Sequence, residues 1–216
     1  MKKLLLIFAV ILMASPAAAQ LIITGLYDGP LSGGLPKGIE LYACDDIADL
    51  SVYGVGSANN GGGTDGVEYT FPADFIPAGT TFYAASDSAG FYDFFGFVPE
   101  YFDTGYALSI NGDDAVELFY LGGVDPVVVD VFGDINTDGT GQPWEYMDGW
   151  AKRVTATGPD GNVFNINSWY FSGKNAFDGE TSNATAATPF PLDNFACDPA
   201  VDNEAQSFGS VKSLFR

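Results

Sequence analysis

Histidine is absent from the 216-residue chain, and this absence removes several kinds of chemistry. Histidine is the usual general base near neutral pH, and it activates serine and cysteine nucleophiles. It is also a common ligand of zinc. Acidic residues are so abundant that no pair of them stands out as a catalytic acid and base. We therefore expect that the chain is not an enzyme.

Basic residues are scarce: there are 8 Lys and Arg against 28 Asp and Glu, which gives a net charge of −20. Removal of Lys2 and Lys3 with a leader would make it −22 (−20 − 2). Such a surface repels phosphates, so we expect no direct binding of nucleic acid. The same charge favours divalent cations. Since 47% of the residues are hydrophobic, this is not the composition of a disordered acidic tail.

Long apolar segments are missing after the N-terminus. Lys2 and Lys3 precede an apolar run over residues 4–14, and small residues follow up to Ala19. A membrane-spanning helix needs about 20 apolar residues, so this run is too short to be one. The pattern predicts a bacterial signal peptide, residues 1–19, cut before Gln20. We expect a product without a membrane span that is periplasmic, extracellular or on the cell surface.

Only two cysteines are present, Cys44 and Cys197. Outside the cytoplasm a disulfide between them is the simplest expectation, and two unpaired buried thiols are the alternative. A disulfide would connect the C-terminal segment to the second strand. Strand signals weaken after residue 195, and the basic, amphipathic residues 207–216 could be a last strand, an ordered tail or a sorting signal. Since most terminal segments are tails, we assign residues 196–216 to a C-terminal tail.

Short strand signals bounded by Gly, Pro, Asn or Asp recur from residue 21 onwards. Residues 38–42 alternate apolar and polar, which predicts a half-buried strand. The aromatic-rich residues 91–102 predict a packed connection or a short helical turn, and residues 57–66 predict a loop. The expected strands cover residues 21–27, 38–42, 50–53, 67–71, 80–85, 115–121, 127–132, 150–154 and 163–171. Nine short strands indicate an all-β sandwich over residues 20–195.

One loop matches the calcium-binding pattern D-x-[DN]-x-[DN]-G-x5-E at every specified position. Asp134, Asn136 and Asp138 occupy alternate positions, and Glu145 occupies the last one. In such loops the alternate side chains converge on the cation, a main-chain carbonyl (here that of Thr140) faces inward, and the glutamate closes the shell. The spacing therefore predicts a calcium site.

Ordinary turn chemistry is the alternative for this loop, because Asp, Asn and Gly are also the residues of tight turns. Flanking helices are not predicted, which excludes an EF-hand. If calcium binds, we expect an affinity on the order of 10⁻⁴ to 10⁻³ M, as in extracellular modules. The Asn-Gly-Asp-Asp segment at residues 111–114 is interpreted as a turn that leads into a strand.

Five aromatic residues could form a stacking platform for a sugar: Trp144, Tyr146, Trp150, Trp169 and Tyr170. In a sandwich of this size such rings more often pack in the core. The sequence gives no sign that they share one exposed face.

A series of short motifs runs through most of the chain: GIELY (38–42), IADLS (47–51), YTFP (69–72), IPAGT (76–80), GDDAVELF (112–119), VDVFG (129–133) and WEY…DGWAKR (144–153). Their order and spacing resemble the lamin-tail domain family of secreted bacterial proteins, over about residues 21–171. The resemblance implies an immunoglobulin-like β-sandwich. It also implies a binding or targeting module, of a kind often found beside nuclease or phosphatase domains. The family has no shared catalytic residues to transfer.

These observations together predict a secreted, non-catalytic binding or adhesion module with a calcium-stabilised loop. The partner would be an unidentified protein or glycan outside the cell. One alternative is an accessory or catalytic part of a metal-dependent extracellular nuclease or phosphoesterase system, although the sequence has no nuclease motif. The other is a calcium-dependent glycan-binding module.

Overall fold

The computed structural model of the protein describes residues 20–103, 105 and 107–197. The predicted signal peptide and residues 198–216 of the predicted tail lie outside the described residues. The elements are β1 (Leu21–Leu31), β2 (Leu35–Ala43), β3 (Tyr53–Ala58), β4 (Tyr69–Thr70), β5 (Thr81–Ala85), α1 (Ser88–Phe95), β6 (Tyr101–Phe102), β7 (Ala115–Tyr120), β8 (Val127–Phe132), β9 (Trp150–Arg153) and β10 (Trp169–Phe171). Within the described part of the chain, no helix is long and apolar enough to cross a membrane.

The strands form two sheets. A six-stranded sheet has the order β10-β9-β1-β2-β5-β6, and a four-stranded sheet has the order β4-β3-β7-β8. Neighbouring strands are antiparallel except for β5 and β6, which run parallel. Side chains from both sheets meet in one buried core, which includes Ile23, Leu41, Val55, Val116 and Leu118. The predicted all-β sandwich is confirmed.

A second aromatic core covers the other face of the six-stranded sheet. Helix α1 and the segment 172–195 pack there through Phe91, Phe94, Phe177 and Phe190. The six-stranded sheet is therefore buried on both faces. The prediction that residues 38–42 form a half-buried strand is wrong for this reason, since Glu40 is 0% exposed.

Two buried pairs of oppositely charged side chains lie inside the fold. Glu40 forms an ion pair with Lys152 of β9, and both side chains are buried. Asp130 of β8 pairs with Arg153 at 2.8 Å between carboxylate oxygen and guanidinium nitrogen. The same two side chains also bind the backbone of Ile23: its N–H donates to Asp130 (2.9 Å) and its carbonyl accepts from Arg153 (2.6 Å). This pair therefore connects the two sheets, since β1 and β9 belong to one and β8 to the other.

Several strand boundaries differ from the sequence-based predictions. Residues 50–52 form a 3-10 turn because Asp49 caps them, and the strand that follows, β3, extends into the predicted loop at 57–66. Strand β10 covers only the end of the predicted strand 163–171, because Asn165 caps another 3-10 turn. Strand β8 has the predicted bounds.

The aromatic-rich segment contains more regular secondary structure than the packed connection or short helical turn that the sequence predicts. Helix α1 begins three residues before position 91, because the Asp87 side chain accepts the N–H of Gly90 (2.5 Å) and caps the helix. It ends at Phe95, because the C-cap residue Gly96 adopts the left-handed conformation with φ 84°. The rings of Phe91 and Phe95 pack against Tyr27 of β1. The helix therefore covers the sheet and does not merely connect strands.

Candidate functional site

Four connections gather at one end of the sandwich, which we call the loop end: residues 32–34, 59–66, 111–114 and 133–149. They meet there because the antiparallel registers bring the ends of β1, β3 and β8 to the same side as the starts of β2, β7 and β9. The ends of sandwiches are where loops commonly carry binding residues.

Backbone hydrogen bonds hold the connections of the loop end together. The N–H of Gly63 donates to the carbonyl of Ile135 (2.8 Å), and the N–H of Gly139 donates to the carbonyl of Asp113 (3.0 Å). The Asp114 carboxylate accepts the N–H of Asn60 at 2.9 Å. A side chain at Gly61, whose φ is 71°, would lie 2.4 Å from a backbone nitrogen of the 133–149 loop. Glycine is therefore required where these loops touch.

The predicted calcium ligands Asp134 and Asp138 bond to their own turns. Asp134 accepts the N–H of Asn136 (3.0 Å) and the hydroxyl of Thr137 (2.7 Å). Asp138 accepts the N–H of Thr140 at 2.9 Å. The pKa of each carboxyl is lowered, first of all by that backbone N–H. These contacts are the local bonds of Asx turns.

The last predicted ligand, Glu145, bonds to a cation of the chain itself. One of its oxygens accepts from Lys174 (2.7 Å) and the other from the N–H of Gly141 (2.8 Å). Burial works to raise the pKa of Glu145, but these contacts outweigh it and lower the pKa. Across residues 20–103, 105 and 107–197, no three His, Cys, Asp or Glu side chains form a group that could hold a metal ion. Calcium binding by this loop stays a prediction.

A cleft lies beside the predicted calcium loop, with a cavity volume of about 620 Å³. Its lining residues are Val131, Gly133, Asp134, Ile135, Asn136, Asn162, Val163 and Phe164. Val163 is 70% exposed at its rim. Phe164 is fixed in the wall because its ring packs edge-on against Phe132 and Trp144. The cleft therefore combines a firm apolar wall with carboxylate and amide groups.

Four of the five rings considered as a sugar platform are buried: Trp144, Tyr146, Trp150 and Trp169. Only Tyr170, on the edge strand β10, is exposed, at 63%. The five rings do not share an exposed face, so the core-packing interpretation is correct for four of them. Tyr170 and Trp150 together line a smaller cavity of about 180 Å³.

Sequence reasoning missed a further cavity at the loop end. It has a volume of about 300 Å³, and its walls include Asp28, Lys37 and Asp148 together with residues of the 111–114 turn. The turn itself forms as predicted, with the N–H of Asp114 donating to the carbonyl of Asn111 (3.0 Å). The turn interpretation did not predict that Asp113 and Asp114 are buried. No local sequence pattern indicates that residues 28, 37, 111 and 148 lie close together.

The predicted disulfide between Cys44 and Cys197 is confirmed, with a Cα–Cα distance of 5.8 Å. It joins the end of β2 to the last described residues. Phe195 packs edge-on against Tyr42 beside it, and the N–H of Ala156 donates to the carbonyl of Ala196 (2.8 Å). Such a disulfide is typical of proteins that fold in oxidising compartments.

Comparison with known proteins identifies no relatives: no family model, no curated protein and no solved structure matches the chain. The strand pairing alone establishes the two-sheet β-sandwich. The lamin-tail resemblance and the immunoglobulin-like classification stay predictions.

Proposed function

We propose that this chain is a secreted, non-catalytic binding module, and that its ligand occupies the cleft between residues 131–136 and 162–164. The main support for this proposal is the cleft itself. Its volume of about 620 Å³ falls within the range of ligand pockets, and its walls mix apolar surface with a few polar groups, as ligand sites usually do. The finer classification as an immunoglobulin-like, lamin-tail type sandwich belongs to the same proposal. Five of the seven lamin-tail-like motifs include residues of β2, β4, β7, β8 and β9, in that order along the chain.

The chemistry of the cleft favours a neutral glycan as ligand. Asp134 offers hydrogen-bond acceptors, and Asn136 and Asn162 each offer an amide with two donors and one acceptor. Sugar hydroxyls both donate and accept, so they suit such a set. The apolar side chains of Val163 and Phe164 can contact the C–H faces of a sugar ring. The net charge of −20 disfavours anionic ligands.

Calcium remains part of this proposal because Asp134 and Asn136 belong both to the cleft wall and to the calcium pattern. A calcium ion held by Asp134, Asn136 and Asp138 would add positive charge beside the cleft and would stiffen the loop. The contact between Glu145 and Lys174 would then have to open if Glu145 joined the ligands. The glycan and calcium parts of the proposal need separate tests.

A glycan array probed with the purified full chain tests the ligand class. Asn162→Ala removes an exposed amide from the cleft, and Asn167→Ala removes an exposed amide outside it. We expect the wild type and Asn167→Ala to bind the same glycans and Asn162→Ala to bind them weakly. Equal binding by the two variants would place the site elsewhere. Hydrolysis of DNA or phosphoesters by the pure protein would contradict the non-catalytic assignment.

Thermal unfolding with calcium, magnesium or a chelator tests the metal. A ligand that binds only the folded state stabilises it by about 2.7 kcal/mol at 100 times its dissociation constant. We expect a calcium-selective rise in Tm that is lost in Asp134→Ala and kept in Asp125→Ala, since Asp125 lies in the β7–β8 connection. If calcium raised the Tm of the two variants equally, the 134–145 loop would not be the calcium site, and its Asp and Asn residues would serve only to form turns.

A further inference from the structure

The missed cavity at the loop end is built from parts of the chain that lie far apart in sequence. Its walls include Asp28, Lys37, Asn111, Asp113 and Asp148, and we call it the acidic cavity. Asp28 and Lys37 face each other in the β1–β2 register. The glycines at 33 and 34 lie in the turn between these strands and have no side chains to fill the space. The walls therefore come from both strands and from two further loops.

One ammonium group already lies in the acidic cavity, that of Lys37. Its Nζ donates to Asp28 Oδ1 (2.6 Å), to Asn111 Oδ1 (2.7 Å) and to the carbonyl of Ile110 (3.3 Å). A lysine has three N–H donors, so this ammonium has none left for another ligand. Asp28 uses its other oxygen to accept the N–H of Gly112 at 3.0 Å. The charges of Lys37 and Asp28 therefore balance each other, and Lys37 has no donor left for a ligand.

Two carboxylates in the walls are not neutralised by this pair. Asp113 is 7% exposed, and its Oδ2 accepts the hydroxyl of Thr140 (3.0 Å) while its Oδ1 has no hydrogen-bond partner. A buried carboxylate oxygen without a partner is costly unless a donor reaches it. The pKa of Asp148 is raised by burial and then by the charges of Asp28 and Asp178. The charges of Lys37 and Lys174 lower this pKa but do not outweigh that rise. The cavity thus has an excess of negative charge.

We propose that the acidic cavity binds an organic cation, an alkylammonium or guanidinium group, between Asp113 and Asp148. A bare metal ion fits less well here, because Lys37 already engages Asp28 and Asn111, whereas a calcium ion takes six to eight oxygen ligands. An organic cation is larger and reaches separated carboxylates through several N–H donors. This site is distinct from the glycan cleft, so either proposal can fail without the other.

Titration of the purified full chain with two probes, followed by NMR, tests the proposal. Agmatine represents a free small cation, and the capped peptide acetyl-Gly-Arg-Gly-amide represents an arginine side chain of a partner protein. The test variant is Asp148→Asn; residue 148 has φ 46°, a conformation that Asn tolerates. The control is Asp125→Asn, which removes the same charge in an exposed loop at the opposite end of the four-stranded sheet.

We expect saturable binding of at least one probe to the wild type, with amide shifts in residues 33–37, 111–113 and 147–148. A hydrogen bond to a charged group contributes about 1.5–3 kcal/mol, so Asp148→Asn should weaken binding by about 10- to 100-fold. Asp125→Asn should change it less than about 2-fold, since exposed charges at a distance are screened by salt. Preference for the peptide would identify a protein as the source of the cation. Equal weakening in the two variants, or no saturable shift with either probe, would overturn the proposal.

Discussion

Removal of the Cys44–Cys197 disulfide should lower the stability of the domain strongly, because the bond closes a very long loop. The two cysteines are 153 residues apart in sequence. The entropy that such a cross-link removes from the unfolded chain corresponds to about 5 kcal/mol at 25 °C in the loop-closure model. This is comparable with the whole free energy of unfolding of a typical domain, about 5–15 kcal/mol.

The structure gives a reason why most of this effect should be observed. The disulfide joins segments that already contact each other, since Phe195 packs on Tyr42 and the backbone of Ala196 bonds to that of Ala156. The folded state of Cys44→Ala/Cys197→Ala can therefore keep these contacts, and the main change is a freer unfolded chain. For a domain of this size 1 kcal/mol corresponds to about 2–4 °C in Tm, so we expect a drop of about 10–20 °C.

Urea unfolding of the wild type, with and without reductant, and of the double variant measures the effect. The reduced wild type and the double variant should unfold at similar urea concentrations, and reductant should not affect the variant. A loss of stability below about 1 kcal/mol would refute the loop-closure reasoning, because the model assigns several times that value to a loop of this length.

Three further predictions concern single contacts. Lys152→Met should cost about 3–5 kcal/mol in urea unfolding, because it leaves the buried Glu40 without its cation; adding Glu40→Gln should recover part of that loss. Gly112→Ala should destabilise by about 1–3 kcal/mol or more, since its methyl would lie 2.0 Å from a backbone nitrogen, whereas Gly62→Ala meets nothing closer than 3.2 Å. Asp148→Asn should raise Tm at pH 7. Because its folded pKa is raised, the wild-type carboxylate is unfavourable above that pKa, so the difference between the two proteins should disappear by about pH 3.

Local sequence signals were sufficient where local chemistry decides the structure. Strand β8 was predicted with its bounds because a valine-rich run lies between Pro126 and Gly133. The disulfide was predictable because the chain has only two cysteines. The turn at 111–114 followed from its Asn-Gly-Asp composition.

Long-range packing could not be predicted in the same way. Alternation around Glu40 indicates a solvent-facing side chain, but the segment that covers it, 172–195, lies more than 130 residues later in the chain. The acidic cavity combines residues 28, 37, 111 and 148, which no local pattern relates. In the 134–145 loop the same Asp and Asn residues suit calcium or turns, so the spacing alone does not decide between them.

NMR chemical-shift mapping with a panel of neutral sugars tests the central claim, that the cleft beside residues 131–136 binds a glycan, most directly. Galactose, mannose and N-acetylglucosamine would each be added to the labelled full chain at millimolar concentrations. The account predicts that at least one sugar shifts the amides of residues 131–136 and 162–164 together and leaves the rest of the sandwich unchanged. Shifts confined to another surface, or no shift with any sugar or array glycan, would contradict it.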